Sequence, residues 1–545
     1  MNLLKDLVGE RQVNLDFADW MRANVRLDDG RPWDMSQRLA LAEIVGNMSH
    51  RHMTVLKGAQ TGFSTLFLGL AMFLLDQMRR NVIYFLPTQV MSNRFSTTRM
   101  DAFVNRSEYL RSRLKGTDQT GLKEIDTHFL YFLGLQSVLG AISIPSDANL
   151  YDEVDLISEE NMDWSTDRIA ASDLALQRFF SVGMFPGIGI DERYQEGDQR
   201  IWHVACPSCR YEQVIEDEFP GNFIRPKDGA VTLVCIQCGK SLDVNQGNWI
   251  AAKPERTSDH ISYRVPQLIM PGLNLQLIWD RYDKVKEKPS KLAKFRCSVL
   301  AKPDGGDLQP ITDLVLNRVK LISDYYFHDS WHDTVTGIGI DMGDLAHIAI
   351  VAPFGIEGIR PIFFAEVDVE DLIPIVQRLE TAFNAGATVI DAMPYKTTSK
   401  QLVRALTRSG YIQYFKGADV QEKEEGEGDR AVKVVTVDRD ESLDETTDLF
   451  AAVPPHALLP KPRTVEEEQL LKKVEQHLKR LVKEKESEDE NSPAHYKKNV
   501  PNHFGMALNS ARIALWLATG KGSKTGPTEY TTVASRQTKF KKGAY

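Results

Sequence analysis

The sequence predicts an α/β chain of two successive α/β domains, the first carrying a cysteine-rich insert. Three observations predict it. From Thr54 to about Val182, short apolar runs alternate with helical stretches, the pattern of a mostly parallel sheet covered by helices. Residues 202–250 break that rhythm with two Cys-x-x-Cys pairs, glycine turns and short polar strands. From residue 337 the hairpin GIGIDMGDLAHIAIVAPF opens a second alternation, continued by RPIFFAEVDV and ATVIDAMP.

At 545 residues the chain is too long for one core, and a length of roughly 150 residues per domain points to three or four units. The expected boundaries are 1–200 for the first α/β domain with its N-terminal helices, 201–255 for the insert, 256–330 for a helical linker, 331–519 for the second α/β domain and 520–545 for a basic tail without fixed structure. Residues 1–50 read as helical with a break at Arg31–Trp33. MTVLKGAQ, NVIYFLP, FLYFLGL and NLYDEVDLI read as buried parallel strands. Further on, 275–302 reads as an amphipathic helix, 421–430 as a charged loop, 464–490 as a highly charged helix and 502–518 as a terminal amphipathic helix.

A composition of 42% hydrophobic and 26% charged residues is that of a soluble globular chain. No apolar run approaches the roughly 20 residues of a membrane span. The start, MNLLKDLVGERQ, lacks the apolar core of a signal peptide, so an intracellular protein is expected. A net charge of −9 rules out a uniformly basic coat. It leaves room for a local basic groove, or a ring of subunits, that holds a duplex.

VLKGAQTGFST (55–65) follows an apolar strand and precedes the helix TLFLGLAMFLL, the place for a phosphate-binding loop. Gly58 and Gly62 would let backbone N–H groups approach ATP phosphates. Phe63 stands where the usual pattern has lysine, so Lys57 is the candidate cation. Ser64 or Thr65 would hold Mg²⁺. The competing reading is a glycine-rich turn without a ligand. About 90 residues on, NLYDEVD ends a strand in Asp152-Glu153. Asp152 suits Mg²⁺ through water and Glu153 suits the attacking water; a solvent-facing acidic strand end is the alternative. Trp33 and Gln37, in PWDMSQR, are candidates for adenine contact, and Arg178, in LQRFFSVG, for transition-state charge; each is equally readable as a structural residue.

Cys206, Cys209, Cys235 and Cys238 form two knuckles separated by 25 residues, a closed four-thiolate Zn²⁺ site that would be structural. Paired redox dithiols are the alternative, and Cys297 reads as a buried thiol. Asp341 and Asp391 each end an apolar strand. Carboxylates on neighbouring strand ends can hold Mg²⁺ or Mn²⁺ for in-line phosphodiester cleavage. This is a ribonuclease-H-like arrangement, with His503 the best further ligand and Asn502 and Asp344 nearby. A helix cap or turn role for each aspartate is the alternative.

In order of parts, residues 20–518 resemble the large terminase subunits of tailed phages, particularly the lambda-type branch. KGAQTGFS is similar to that branch's deviant loop, with its lysine at the front. GIGIDERYQEGDQRIWHVACPSC resembles the segment leading into its cysteine-rich insert, and VVTVDRDESLD and NHFGMALNSARIA are also similar. Ser181, in SVGMF, occupies the place of the motif coupling hydrolysis to movement. The resemblance implies a P-loop ATPase domain with a zinc-ribbon-like insert, followed by a ribonuclease-H-like nuclease domain. Asp341 and Asp391 match the first two acids of that nuclease, and Asn502-His503 stands at the third. It further implies an ATP-driven motor on double-stranded DNA that forms a homo-oligomeric ring on the portal protein and works with a small terminase subunit. Such a motor acts in the host cytoplasm and transiently at the prohead vertex, outside the mature virion. The basic tail would contact portal or phosphate, or remain a solvated tail. The rivals are an ATP-driven helicase or repair nuclease, and a non-enzymatic zinc-ribbon DNA-binding protein with a decayed nucleotide site.

Overall fold

A computed structural model describes residues 17–36, 38–114, 118–137, 144–225, 230–356, 358–416, 421–426, 431–485, 492–498 and 500–519. Gln37, the first 16 residues and the basic tail lie outside the described residues. The chain divides into two compact units, Met1–Asp307 and Leu308–Tyr545.

In the first unit the labelled strands are β1 (His52–Lys57), β2 (Val82–Leu86), β3 (His128–Gly134), β4 (Ala148–Asp152), β5 (Leu176–Ser181), β6 (Arg200–Ala205), β7 (Gly247–Ala251) and β8 (Ile261–Val265). They lie in one sheet in the order β7–β6–β8–β1–β5–β4–β2–β3, continued by the short strands Leu122–Ile125 and Asp118–Gln119. The stretch from β8 to β3 is parallel. Helix α1 (Phe63–Asp76) is buried along almost its whole length, which is why its sequence is apolar on every side. Each of the four expected runs holds a strand, but MTVLKGAQ leaves the sheet after Lys57 and NLYDEVDLI after Asp152.

The predicted helical linker is corrected by β8, which pairs with β1 over Met53↔Ile261 to Lys57↔Val265 at the centre of the sheet. Ser262 and Arg264 disguise it in the sequence, and both are satisfied at long range. The Ser262 hydroxyl donates to Tyr194 O at 2.8 Å, and Glu216 Oε1 accepts from Arg264 Nε at 3.0 Å. β6 and β7, expected in a separate insert, join the same sheet. The single helix expected over 275–302 is two, α2 (Leu275–Val285) and α3 (Pro289–Leu300), because Pro289 starts a new first turn.

The second unit holds β9 (Thr336–Met342), β10 (Leu345–Phe354), β11 (Gly358–Asp368), β12 (Ala385–Asp391), β13 (Ser409–Phe415), β14 (Gln421–Glu425) and β15 (Val432–Val437). Their order is β11–β10–β9–β12–β13–β15–β14. An antiparallel meander, β9 to β11, is thus extended by parallel strands on the other side of β9. This is the ribonuclease-H-like sheet the sequence predicts. The charged loop expected at 421–430 is instead the edge strand β14, antiparallel to β15. The charged helix α4 (Val465–Lys479) stops before its expected end, and Lys483–Lys485 pairs with Ala494–Tyr496.

The last helix, α5 (His503–Thr519), lies directly on β9. Gly339 makes this possible: a Cβ there would stand 2.0 Å from Ala511 N and 2.1 Å from Ala507 O. Gly337 meets the same helix one turn on, where a Cβ would lie 2.3 Å from Leu515 N. Since Asp341 is on β9 and His503 begins α5, this backbone contact brings those two side chains together.

Two outcomes follow. Gly339→Ala should lose about 3 kcal/mol of stability, read by denaturant unfolding of the second unit; a loss below ~0.5 kcal/mol would show that the helix does not depend on this contact. His260, just before β8, lies with Nε2 2.8 Å from Thr54 Oγ1. Burial first, then the charge of His52, lowers its pKa to about 4. A depressed folded value means that its contribution is full above the unfolded pKa near 6.5 and is lost as pH falls toward 4. His260→Gln should therefore remove about 2–3 kcal/mol of acid sensitivity between pH 7 and 4. Parallel stability–pH curves for the two proteins would refute that assignment.

Candidate nucleotide and metal sites

Lys57 is the last residue of β1 and is buried. The chain then turns through Gln60 and Gly62, both left-handed at φ 57° and 86°, and enters α1 at Phe63. Thr61 Oγ1 donates to Gly58 O at 3.1 Å and ties the turn together. The loop thus presents the N-terminus of a long helix, where first-turn N–H groups have no intrahelical acceptor and the dipole favours an anion. Ser64 and Thr65 are half-buried in that first turn.

Phe63 is 1% exposed and packs on Phe67 in the core. The position where lysine was expected therefore faces inward, and the cation stands at Lys57 instead. Gly58 has a different role from the one expected. Its N–H donates to Val265 O at 2.8 Å, and a Cβ would lie 2.9 Å from Ser298 O. It is glycine so that the loop can press against β8 and α3. Arg38, which sequence reading missed, brings its Nη1 to within 3.2 Å of where a Cβ on Gly62 would be; nothing in PWDMSQR distinguished it from an ordinary surface arginine.

Asp152 ends β4, and one strand, β5, separates it from β1. Two strand spacings, about 10 Å, therefore part the loop from the carboxylates. Burial pushes Asp152 up to about 6, opposed by the charge of Lys57 and reinforced by that of Glu153. Lys57 thus acts directly on the Asp152 carboxylate, yet offsets only part of its desolvation. Tyr84 Oη donates to Asp152 Oδ2 at 2.8 Å and fixes the carboxylate. Glu153 follows in a left-handed conformation, φ 55°, at the mouth of the gap.

Two expectations are corrected. Trp33 is 6% exposed within the main core, so its indole has no free face for adenine. Arg178 is fully buried near the start of β5, opposite Met53, about 10 Å from the loop end of the sheet at one strand rise per residue. It donates to Arg51 O, Gln177 O and Met48 O, and burial lowers its pKa to about 9. Arg178 holds backbone carbonyls, so any arginine acting on the phosphates comes from elsewhere. Ser181, buried at the far end of β5, donates to Val182 O at 3.0 Å. Just beyond, the Asp155 carboxylate accepts from Met184 N at 2.6 Å and Ile190 N at 2.9 Å, clamping the segment after β5 to the acidic strand end.

The four knuckle cysteines converge. Sγ atoms of Cys206 and Cys238 are 3.7 Å apart, as are those of Cys209 and Cys235, and all four lie within 4.8 Å of one another. A tetrahedral Zn–S bond of about 2.3 Å implies S···S spacings of about 3.8 Å, which this cluster matches. The two turns are alike: Arg210 N donates to Cys206 O and Gly239 N to Cys235 O, both at 2.8 Å. The backbone N–H of Cys209 and of Ser208 lower the Cys206 thiol to about 7. Cys297 is apart from them, buried and raised to about 12 by desolvation.

In the second unit Asp341 and Asp391 end neighbouring parallel strands. His503 Nδ1 lies 2.7 Å from Asp341 Oδ2. Burial, then the charge of Asp341, pushes Asp391 up to about 7. The structure adds His347, which sequence reading missed: ligand atoms of Asp341, His347 and His503 fall within 4.8 Å of one another. Asp391 is outside that trio, beside it on β12. Burial holds His347 below its ordinary pKa, and His477 behind it down to about 3. Asp344 is exposed and accepts from Tyr395 Oη at 3.2 Å. Asn502 is buried and its carbonyl accepts from Met506 N at 3.1 Å, so it starts α5 and takes no part in the cluster. No helix among the described residues is long and apolar enough to cross a membrane.

For the knuckles, metal analysis of the full chain should find one Zn per molecule, and Cys235→Ser should release it and lower the thermal midpoint. Four freely titrating thiols and no metal in the parent protein would exclude the site.

Residues 32–253 match the family model described as phage terminase large subunit gpA, ATPase domain. No curated protein matches the chain. Among solved structures, the large terminase of bacteriophage HK97 is similar at 11% identity and TM-score 0.49, over 91% of this chain and 99% of that one. The large terminase of thermophilic bacteriophage D6E in complex with ADP is similar at 11% identity and TM-score 0.31, over 92% and 98%. The large terminase nuclease of thermophilic phage G20c with bound magnesium is similar at 11% identity and TM-score 0.25, over 36% and 95%. Identities and scores this low set no residue correspondence; the family match covers residues 32–253, and over that segment the chain is similar to the ATPase domain of phage terminase large subunits.

Proposed function

We propose that this chain is an ATP-driven motor translocating double-stranded viral DNA into proheads, joined to a metal-dependent endonuclease that cuts concatemeric DNA. The observation that carries the reading is the gap beside β5, with the loop and Lys57 on one side and Asp152-Glu153 on the other. The residues fit Mg·ATP. The first-turn N–H groups of α1 and Lys57 hold phosphate oxygens, with Arg38 beside Gly62 as a further cation. Ser64 or Thr65 and Asp152 would hold Mg²⁺, which would supply charge neutralisation at the phosphates. Glu153 accepts the proton of the attacking water. The Asp155 clamp links that acid segment to the chain after Ser181, where hydrolysis would be coupled to movement.

Asp341, Asp391 and His503 fit one or two divalent ions, Mg²⁺ or Mn²⁺, which polarise the scissile phosphate when bound. The four cysteines fit a structural Zn²⁺. A front-placed Lys57 supports the lambda-type branch. Double-stranded DNA, a portal protein, a small terminase subunit and a homo-oligomeric ring are the proposed partners, with action in the host cytoplasm and at the portal vertex. With Arg178 engaged in the sheet, a neighbouring subunit is a natural source of an arginine on the phosphates. The family match favours this reading over an ATP-driven helicase or repair nuclease, and over a non-enzymatic zinc-ribbon DNA-binding protein.

The test is DNA-stimulated ATP hydrolysis by the full chain. Lys57→Ala and Glu153→Gln should each lower kcat by about 10²–10⁴-fold, and Asp391→Asn should abolish Mg²⁺- or Mn²⁺-dependent plasmid cleavage. Parental ATP turnover in both loop variants would remove the motor assignment, and parental cleavage in Asp391→Asn the nuclease assignment.

A further inference from the structure

We propose that His347 is a ligand of the nuclease metal site and that Asp341, His347 and His503 form a two-histidine, one-carboxylate site for a first-row transition-metal dication in preference to Mg²⁺. This rests on reading Asp341 and His503 as metal ligands.

His347 sits directly opposite Asp341 across the β9–β10 hairpin, and opposite Glu366 on its other flank. It is only 6% exposed. Its two ring nitrogens are in different situations. Nε2 lies 2.8 Å from Glu366 Oε1, and that carboxylate is itself held by Lys473 Nζ at 2.6 Å. Nδ1 is buried with no hydrogen-bond partner among the described residues. The Glu366 charge beside Nε2 favours the proton on that nitrogen, which leaves the lone pair on Nδ1. Carboxylate support of the far nitrogen is the usual arrangement behind a metal-bound imidazole. An unpaired buried acceptor costs free energy, and a metal ion offsets that cost where a core histidine would leave it standing. The His503 ring lies over the His347 ring at 4.7 Å between centroids, so both imidazoles reach the space beside Asp341.

The chemistry of the set selects the ion. Mg²⁺ prefers an all-oxygen octahedron and keeps its waters. Two imidazoles and one carboxylate suit transition metals, with positions left open for water or a phosphate oxygen. Asp391, outside the trio, remains available to a second, oxygen-rich ion.

The probe is Mn²⁺, added to the zinc-loaded full chain and read by electron spin-echo spectroscopy, which detects directly bound imidazole nitrogen. The parent should bind one tight Mn²⁺ coupled to two nitrogens and resist excess Mg²⁺. His347→Gln should bind at least about tenfold more weakly, show one nitrogen and yield to Mg²⁺. Glu366→Gln should weaken binding while keeping both nitrogens. Parent Mn²⁺ with one nitrogen or none, or unchanged affinity in a folded His347→Gln, would overturn the proposal. If His347→Gln fails to fold, the nitrogen count of the parent decides alone. Plasmid cleavage separates the two readings. Cleavage without two-nitrogen coupling defeats this inference only, and two-nitrogen coupling without cleavage under any dication defeats the nuclease reading only.

Discussion

Both units sink carboxylates into the sheet at the carboxyl ends of parallel strands, and most other features of the two sites answer the electrostatic cost of doing so. Asp152 and Asp391 are raised to about 6 and about 7, with desolvation the largest cause in each case. A charge in such a place needs an opposite charge or a cation. In the first unit Lys57 meets part of the demand, and it does so from β1 because Phe63 has taken the usual lysine position into the core. In the second unit a like charge, Asp341, stands next to Asp391. Arg439 opposes that repulsion only in part, and a bound dication would offset more of it.

Local patterns were legible in the sequence; long-range compensation was not. A buried strand, a glycine turn and an apolar helix sit consecutively in 52–76, so the phosphate loop could be read from neighbours in sequence. The cysteine knuckles likewise carry their geometry within four residues each. β8 was lost because ISYRV contains a serine and an arginine whose side-chain partners, Tyr194 and Glu216, are 68 and 48 residues away. Trp33 and Arg178 were misassigned for a related reason. An aromatic or an arginine near a binding motif looks the same in sequence whether it faces a ligand or backs the sheet.

His347 is the instructive omission. In LAHIAIV it reads as one polar residue in an apolar strand, which is ordinarily a satisfied core histidine. Its signal lay in the hairpin register. With Gly343 and Asp344 at the turn, pairing Met342 with Ala346 forces Asp341 against His347. A histidine held opposite a strand-end aspartate is a different proposition from a histidine in a core. The third group, His503, depended on Gly337 and Gly339, whose missing side chains let α5 rest on β9. Glycines spaced by two in a strand mark one flat face, and a helix rich in alanine is what such a face accommodates.

The nucleotide gap has a further mechanical property. Ala59 N donates to Ser298 O at 2.7 Å, so the phosphate loop is anchored on α3. The neighbouring Cys297 Sγ lies 3.7 Å from Met184 O, in the segment that Asp155 clamps to the acidic strand end. One helix thus touches both the loop proposed to hold phosphate and the chain that leaves β5. Under the proposed function, a shift of either segment on hydrolysis would take place against the same packed helix, and close-packed contacts of this kind change by steps and not by continuous yielding. The buried Cys297 has its explanation here, as the packing contact through which the two segments share that helix.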